Sequence, residues 1–237
     1  MNGYSYLDFL SEFGVSGAHP GGFHLTKDLL SKENISSESF VLDAGCGTGQ
    51  TAAYLSEQYG ANVYALEINP TMVNKAHERF KVLNLPVQLF QGSIEEIPFD
   101  NHSFDFLLSE SVLAFVNKKK SLHEIFRVLK KGGRVIAIEM TMNFLIPKKD
   151  ENEIKQFYGL DSLLLESDWR NLLEETGFHH IEISSSYPTI QSNNTNPEFH
   201  FSKNFDLKLF DILHQHAQII IKHQDSLSYR IITCEKP

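Results

Sequence analysis

Between residues 40 and 140 the chain alternates between short apolar runs and stretches with helical period. FVLDAG (40–45) is an apolar run cut off by glycine, the mark of a buried strand. TAAYLSEQYG (51–60) predicts a helix stopped at Gly60, and ANVYALEI (61–68) a second strand. NPTMVNKAHERFKVL (69–83) opens with Asn69 as N-cap and Pro70 at the first helical position, and places Met72, Ala76, Phe80 and Leu83 on one face. PVQLFQG (86–92) and SFDFLLSES (103–111) predict the third and fourth strands. KKKSLHEIFRVLKKGG (118–133) predicts a helix with Leu122, Ile125, Phe126 and Leu129 on one stripe, and RVIAIEM (134–140) a fifth strand. Alternation at this spacing predicts an α/β fold: an open, doubly wound parallel sheet covered on both faces.

After residue 140 the rhythm breaks. Residues 141–165 hold Pro147, a lysine pair, acids and then an apolar piece from Phe157 to Leu165. SDWRNLLEETGF (167–178) predicts a helix capped by Ser167 and ended by Gly177, with Trp169, Leu172, Leu173 and Thr176 on one side. HHIEISSS (179–186) alternates like a strand, and PTIQSNNTNPEF (188–199) has the composition of a flexible loop. KNFDLKLFDILHQHAQIIIKHQ (203–224) predicts a long amphipathic helix with Leu209, Phe210, Leu213, Ala217, Ile220 and Ile221 on its apolar side. SLSYRIITCEK (226–236) predicts a last strand.

Composition narrows the function classes. The 237 residues suffice for one large domain, with 41% apolar and 22% charged residues. Net charge is −9, from 30 acids against 21 bases, which argues against a nucleic-acid partner. The basic runs 118–120, 130–131 and 148–149 read as solvated helix ends. No apolar run is long enough for a membrane helix, and MNGYSYLDFL lacks the basic start of a signal peptide. Two cysteines, Cys46 and Cys234, are too few for a disulfide framework, so reduced thiols and a cytoplasmic location are expected.

The chemistry concentrates in VLDAGCGTGQ (41–50). Glycines here let the backbone approach a ligand at the carboxyl end of the first strand, where a helix N-terminus offers free N–H groups. A P-loop needs a lysine that this stretch lacks. A dinucleotide turn needs glycine where Gln50 stands, and Asp43 would repel a pyrophosphate. Asp43 suits a cationic ligand instead. Glu67 ends the second strand, 22 residues after Gly45, where a carboxylate accepts both ribose hydroxyls. A ribose, a positive amino-acid tail and no phosphate describe S-adenosylmethionine.

The chain resembles the class I S-adenosylmethionine-dependent methyltransferases, in the branch of the ubiquinone and menaquinone enzymes. VLDAGCGTGQ is similar to their first motif, LEINPTMVNKA to the second, QGSIEEIPFDNHSFDFLLSESVL to the third and fourth, and LKKGGRVIAIEM to the segment along the fifth strand. The resemblance covers roughly residues 38–140. It implies a Rossmann-like seven-stranded sheet whose last strand is antiparallel, with HHIEISSS and SLSYRIITCEK as strands six and seven. The chain is then a single domain over 1–237: an N-terminal helical cap (1–37), a cofactor-binding core (38–140), and lid insertions with the C-terminal strands (141–237). The resemblance assigns cofactor contacts to Asp43, Ala44, Gly45, Cys46, Gly47, Gly49, Glu67, Ile68, Met72, Gly92, Ser93, Ile94 and Ser109. Ser93 stands where the family usually has an aspartate that accepts a bond from the adenine amino group. S-adenosylhomocysteine would be the product.

The acceptor site is expected from the aromatic N-terminal segment and the lid. His19, in the glycine turn AHPGGFHLT (18–26), and Glu110, just past the fourth strand, are the candidate catalytic residues. Tyr6, His24 and Glu139 are candidate acceptor contacts. His214, His216 and His223 read as surface residues, and no metal is expected. The expected activity is methyl transfer to a small organic acceptor by a monomer or homodimer, the methylated atom (N, O or C) being open. The alternatives are a non-catalytic binder of the cofactor, a protein or RNA methyltransferase, and a nicotinamide-dependent oxidoreductase.

Overall fold

The computed structural model describes residues 3–19, 21–185 and 198–237, so all but the last two residues of the predicted 188–199 loop lie outside it. Two cap helices come first, α1 (Tyr6–Phe13) and α2 (Gly22–Leu30). The alternating core follows: β1 (Phe40–Ala44), α3 (Gln50–Tyr59), β2 (Asn62–Glu67), α4 (Pro70–Val82), β3 (Gln88–Gln91), β4 (Phe104–Glu110), α5 (Lys118–Val128) and β5 (Leu129–Met142). Then come α6 (Lys148–Tyr158), α7 (Glu166–Thr176), β6 (His179–Ser184), α8 (Leu209–Lys222) and β7 (Leu227–Glu235). The expected caps are present: Gly60 closes α3 in the left-handed conformation, and the Asn69 side chain accepts the Thr71 and Met72 amides.

The seven strands lie in the order β3-β2-β1-β4-β5-β7-β6. Strands β1 to β5 pair in parallel, and β7 runs antiparallel to both its neighbours, β5 and β6. This is the sheet the resemblance implies. Alternate strand residues point to opposite faces. On one face Leu42, Leu66, Leu107 and Ala137 pack with Leu122 and Ile125 of α5 and with Trp169 and Leu173 of α7. On the other, Val41, Val63, Leu108 and Ile136 pack with Leu30 of α2, Ala52 and Leu55 of α3, and Ala76 and Phe80 of α4. A third cluster lies in the expected lid region, where Tyr6, Phe9, Phe13, Ile154, Tyr158, Leu209 and Ile219 meet Ala114 and Met142 at the carboxyl end of the sheet.

Five local expectations need correction. The helix of 118–133 stops at Val128, and Leu129 already pairs with Phe104 in the sheet. Gly132 has a φ of +73° and donates to the Lys236 carbonyl, so backbone pairing with the end of the chain replaces the last helical turn. Leu83, expected on the buried face of α4, is 47% exposed because the helix has ended before it. Residues 148–158 are helical although their apolar signal is thin: only Ile154 and Tyr158, one turn apart, are buried. The first residue outside α7 is Leu165, not Ser167, and Asp168 accepts the Leu165 amide at 2.9 Å. Finally, α8 begins at Leu209 and turns a different face inward. Leu209 and Ile219 are buried, whereas Phe210, Leu213, Ala217, Ile220 and Ile221 are exposed.

Candidate functional site

The carboxyl ends of four adjacent parallel strands each carry an acid: Asp43 on β1, Glu67 on β2, Glu110 on β4 and Glu139 on β5. Parallel pairing puts these ends on one side of the molecule, the side where open α/β sheets bind ligands. The four carboxylates do different work.

Asp43 is 2% exposed, and its Oδ2 is buried without a hydrogen-bond partner among the described residues. Burial, then the nearby charge of Glu110, pushes its pKa well above the carboxylate range, while the Ala52 amide pulls the other way. A buried, unpartnered carboxylate oxygen is costly unless a cation or donor faces it. Glu67 braces the glycine turn against β2: Oε2 accepts the Gly47 amide at 3.0 Å and Oε1 the Asn69 amide at 2.8 Å. Burial raises its pKa against the pull of these backbone bonds. Each oxygen keeps a second lone pair for a ribose hydroxyl.

The three glycines of the turn have different reasons. A Cβ on Gly45 would meet Val112 at 2.3 Å, and one on Gly49 would meet Phe80 at 2.5 Å, so both are demanded by packing. Gly47, with a φ of +55°, faces open space, and it is here that the turn forms a cradle. The Gly45 and Cys46 amides donate to the Leu66 carbonyl at 2.7 and 3.0 Å, tying the turn to β2. Ala44 and Cys46 are buried, and burial drives the Cys46 thiol well above its usual pKa, which leaves it a packing residue. Ile68, next in sequence to Glu67, is 65% exposed, and Met72 and Ile94 are buried. A Cβ on Gly92 would come within 3.0 Å of Leu66, and the Ser93 hydroxyl accepts the Glu95 amide.

His19 and Glu110, 91 positions apart, come together: Nε2 lies 3.5 Å from Glu110 Oε1. Thr26 Oγ1 donates to the same Oε1 at 2.5 Å and is 3.1 Å from His19 Nε2, and Thr51 Oγ1 donates to Oε2 at 2.7 Å. A hydroxyl has one proton. With Thr26's given to Glu110, its oxygen accepts one from His19 Nε2. His19 is 8% exposed, so the glycine turn packs it into the protein.

Of the three expected acceptor contacts, Glu139 and His24 fall elsewhere and Tyr6 lies in the expected lid region. Glu139 is fully buried, and its carboxylate accepts from Ser109 Oγ and from the Val112, Leu113 and Ala114 amides at 3.0 to 3.3 Å. Both oxygens are taken up at the 3-10 turn Leu113–Phe115, and the Ser109 hydroxyl is committed to Glu139. Complete burial pushes the Glu139 pKa up to about 7. His24 is on the outer side of α2, 60% exposed and 3.4 Å from Asp28. Tyr6 belongs to the lid core, edge-on to Tyr158 with ring centroids 4.8 Å apart. His216 and His223 are not surface residues. His216 Nδ1 is 2.9 Å from the Tyr158 hydroxyl, and His223 is 6% exposed.

Sequence reasoning did not single out Arg79. Its guanidinium reaches the Thr48 carbonyl of the glycine turn at 2.8 Å, Ser16 Oγ at 3.2 Å, Glu198 at 3.1 Å and His200 at 2.8 Å. Residues 198–202 form a strap that pairs with the end of α1 through Ser16 N to Glu198 O and Ser202 N to Glu12 O. Arg79 thus ties cap and strap to the cofactor turn. A lone arginine on a helix face gives no sequence signal for such a role.

A seven-stranded sheet of this order, an acid-flanked glycine cradle and an orphaned buried carboxylate define the cofactor domain of a class I methyltransferase. Residues 42–137 match the methyltransferase domain family. The chain is 38% identical over 231 residues to the uncharacterized methyltransferase YodH of Bacillus subtilis, covering 98% of this chain and 99% of that one. It is 32% identical over 145 residues to a sarcosine/dimethylglycine N-methyltransferase of Aphanothece halophytica, covering 60% of this chain and 52% of the relative. The Haemonchus contortus phosphoethanolamine N-methyltransferase 2, solved with S-adenosyl-L-methionine, shares the fold with a TM-score of 0.81 at 20% identity, over 99% of this chain and 58% of its own. The protein belongs to the class I S-adenosylmethionine-dependent methyltransferase family, a membership that stands at the level of the family and not of its quinone branch.

Proposed function

We propose that the protein methylates a small organic acceptor, with the His19 ring as base and Glu110 as the charge that supports it. The observation that carries the site is the buried Oδ2 of Asp43, without a partner among the described residues, which fits the ammonium of S-adenosylmethionine. Glu67 would take the ribose hydroxyls, Gly47 the close backbone approach, and Ile68, Met72 and Ile94 the adenine, with Ser93 as a weaker acceptor than the usual aspartate. When bound, the cofactor supplies a methyl group on a sulfonium, open to in-line displacement.

The chain has two tasks in that reaction: to align the nucleophile, and to receive a proton where the acceptor carries one. The His19 ring receives it, and Glu110, held by Thr26 and Thr51, stabilises the imidazolium. Glu139 holds the turn after β4 that borders the acceptor side, so it positions without touching. Lid residues from α1, α6 and α8 close the apolar side and exclude water. A small acceptor is supported by this enclosure, by the acidic surface and by relatives whose names specify sarcosine, dimethylglycine and phosphoethanolamine. Two buried free thiols are consistent with the cytoplasm, and no helix among the described residues is long and apolar enough to cross a membrane.

Titration with S-adenosylhomocysteine followed by an acceptor screen tests the reading. His19→Asn is expected to bind S-adenosylhomocysteine within about twofold of the parent and to lower kcat by roughly 100-fold or more, the scale of general-base catalysis. Parental turnover in that variant removes His19 from the mechanism.

A further inference from the structure

Within the cluster at the carboxyl end of the sheet, α6 faces the C-terminal end of α8. Asp150 and Glu153, three positions apart, share one side of α6. Lys222 of α8 is ion-paired to Glu153 Oε2 and lies 3.5 Å from Asp150 Oδ1. The next residue, His223, is 6% exposed and points its Nε2 at Glu153 Oε2, 3.8 Å away. That nitrogen has no hydrogen-bond partner among the described residues. One ligand atom from each of Asp150, Glu153 and His223 lies within 4.8 Å of the others.

Lys222 accounts for the two carboxylates but leaves the imidazole unexplained. A buried ring nitrogen aimed at two acids is what a metal site presents, and two carboxylate oxygens with one imidazole suit borderline divalent cations such as zinc or cobalt. We propose that Asp150, Glu153 and His223 form a divalent-cation site that ties the two lid helices together, with Lys222 as the built-in cation that the metal displaces. A tetrahedral ion with ligands about 2.1 Å away holds them roughly 3.4 Å apart, so the three atoms close by up to about 1.4 Å. Lys222 is half exposed and free to swing into water. None of its three ligands is a proposed methyl-transfer residue, and the metal clamps the lid.

Cobalt is the probe, because its visible bands report coordination. The untagged full chain, stripped with chelator, is titrated with Co2+ while absorbance and the thermal midpoint are followed. One equivalent is expected to produce the bands and raise the midpoint. Glu153→Gln is expected to weaken binding at least about tenfold. Lys222→Met, which removes the competing charge, is expected to tighten it by a similar factor. Both positions are at the surface, so they carry the test even where His223→Asn fails to fold. Absence of bands, unchanged affinity in Glu153→Gln, or no gain in Lys222→Met overturns the site. Titration of the same variants with S-adenosylhomocysteine is expected to match the parent, which keeps this test separate from that of the methyl-transfer site.

Discussion

Asp43 sits in an environment that disfavours its own charge. Burial and Glu110 hold its pKa up, and a bound ammonium would bring it down. Binding of S-adenosylhomocysteine, which keeps the ammonium, is therefore expected to tighten as pH rises through the acid range, because less proton has to be displaced from Asp43. Asp43→Asn is expected to weaken binding by about 1.5–3 kcal/mol and to flatten that pH dependence, both read by calorimetry. Glu139 shows the same burial with a structural outcome. Its pKa of about 7 lies above the ordinary 4.5, so between those values the folded chain keeps a proton the unfolded chain has lost. The stability it contributes is full below about pH 4.5 and falls as pH rises towards 7, by about 3 kcal/mol. Urea melts of Glu139→Gln are expected to show a shallower decline over that window than the parent, with Asp43 and Glu67 accounting for what remains. At this scale the places of Asp43 and Glu67 at strand ends were readable, because the strand-helix alternation constrains them. His19 and Glu110 were readable one at a time, but not as a pair. The fate of Glu139 was not readable, since a strand-end acid that caps a turn looks in sequence like one that meets a ligand.

Elements were legible wherever burial on two sides forced a pattern, as in β1, β2, β4 and β5. Where a helix covers only the lid, the pattern misled. On α8 the more apolar side faces out, because the inner side spends one of its positions on His216, which meets the Tyr158 hydroxyl. Ile219→Ala is accordingly expected to destabilise by about 2–4 kcal/mol, and Ile221→Ala, at 69% exposure, to stay within about 0.5 kcal/mol; chemical denaturation distinguishes them. The opposite result would restore the face expected from periodicity. The end of α5 was misplaced for a related reason. Leu129 fits a helical stripe and a strand equally well, and pairing with Phe104 decides between them.

At the scale of the molecule, one arginine connects parts that the chain order keeps distant: the turn after β1, the cap before it and the strap at 198–202. Arg79→Ala is expected to speed dissociation of S-adenosylhomocysteine roughly fivefold, about 1 kcal/mol, with a smaller change in association rate, as measured by stopped-flow. Equal rates would make Arg79 a surface tie without influence on the cofactor turn. The sheet order carries a consequence of a different kind. β7 is the last strand in the chain yet lies between β5 and β6, and Lys236 then anchors its end in the carbonyls of Phe126 and Leu129. During synthesis on the ribosome β6 therefore has no neighbour to pair with until residues 227–235 have cleared the exit tunnel. Until then β6 is unpaired and β5, held by β4 on one side, shows a bare edge on the other, and in that interval the nascent chain is open to mispairing with other strands.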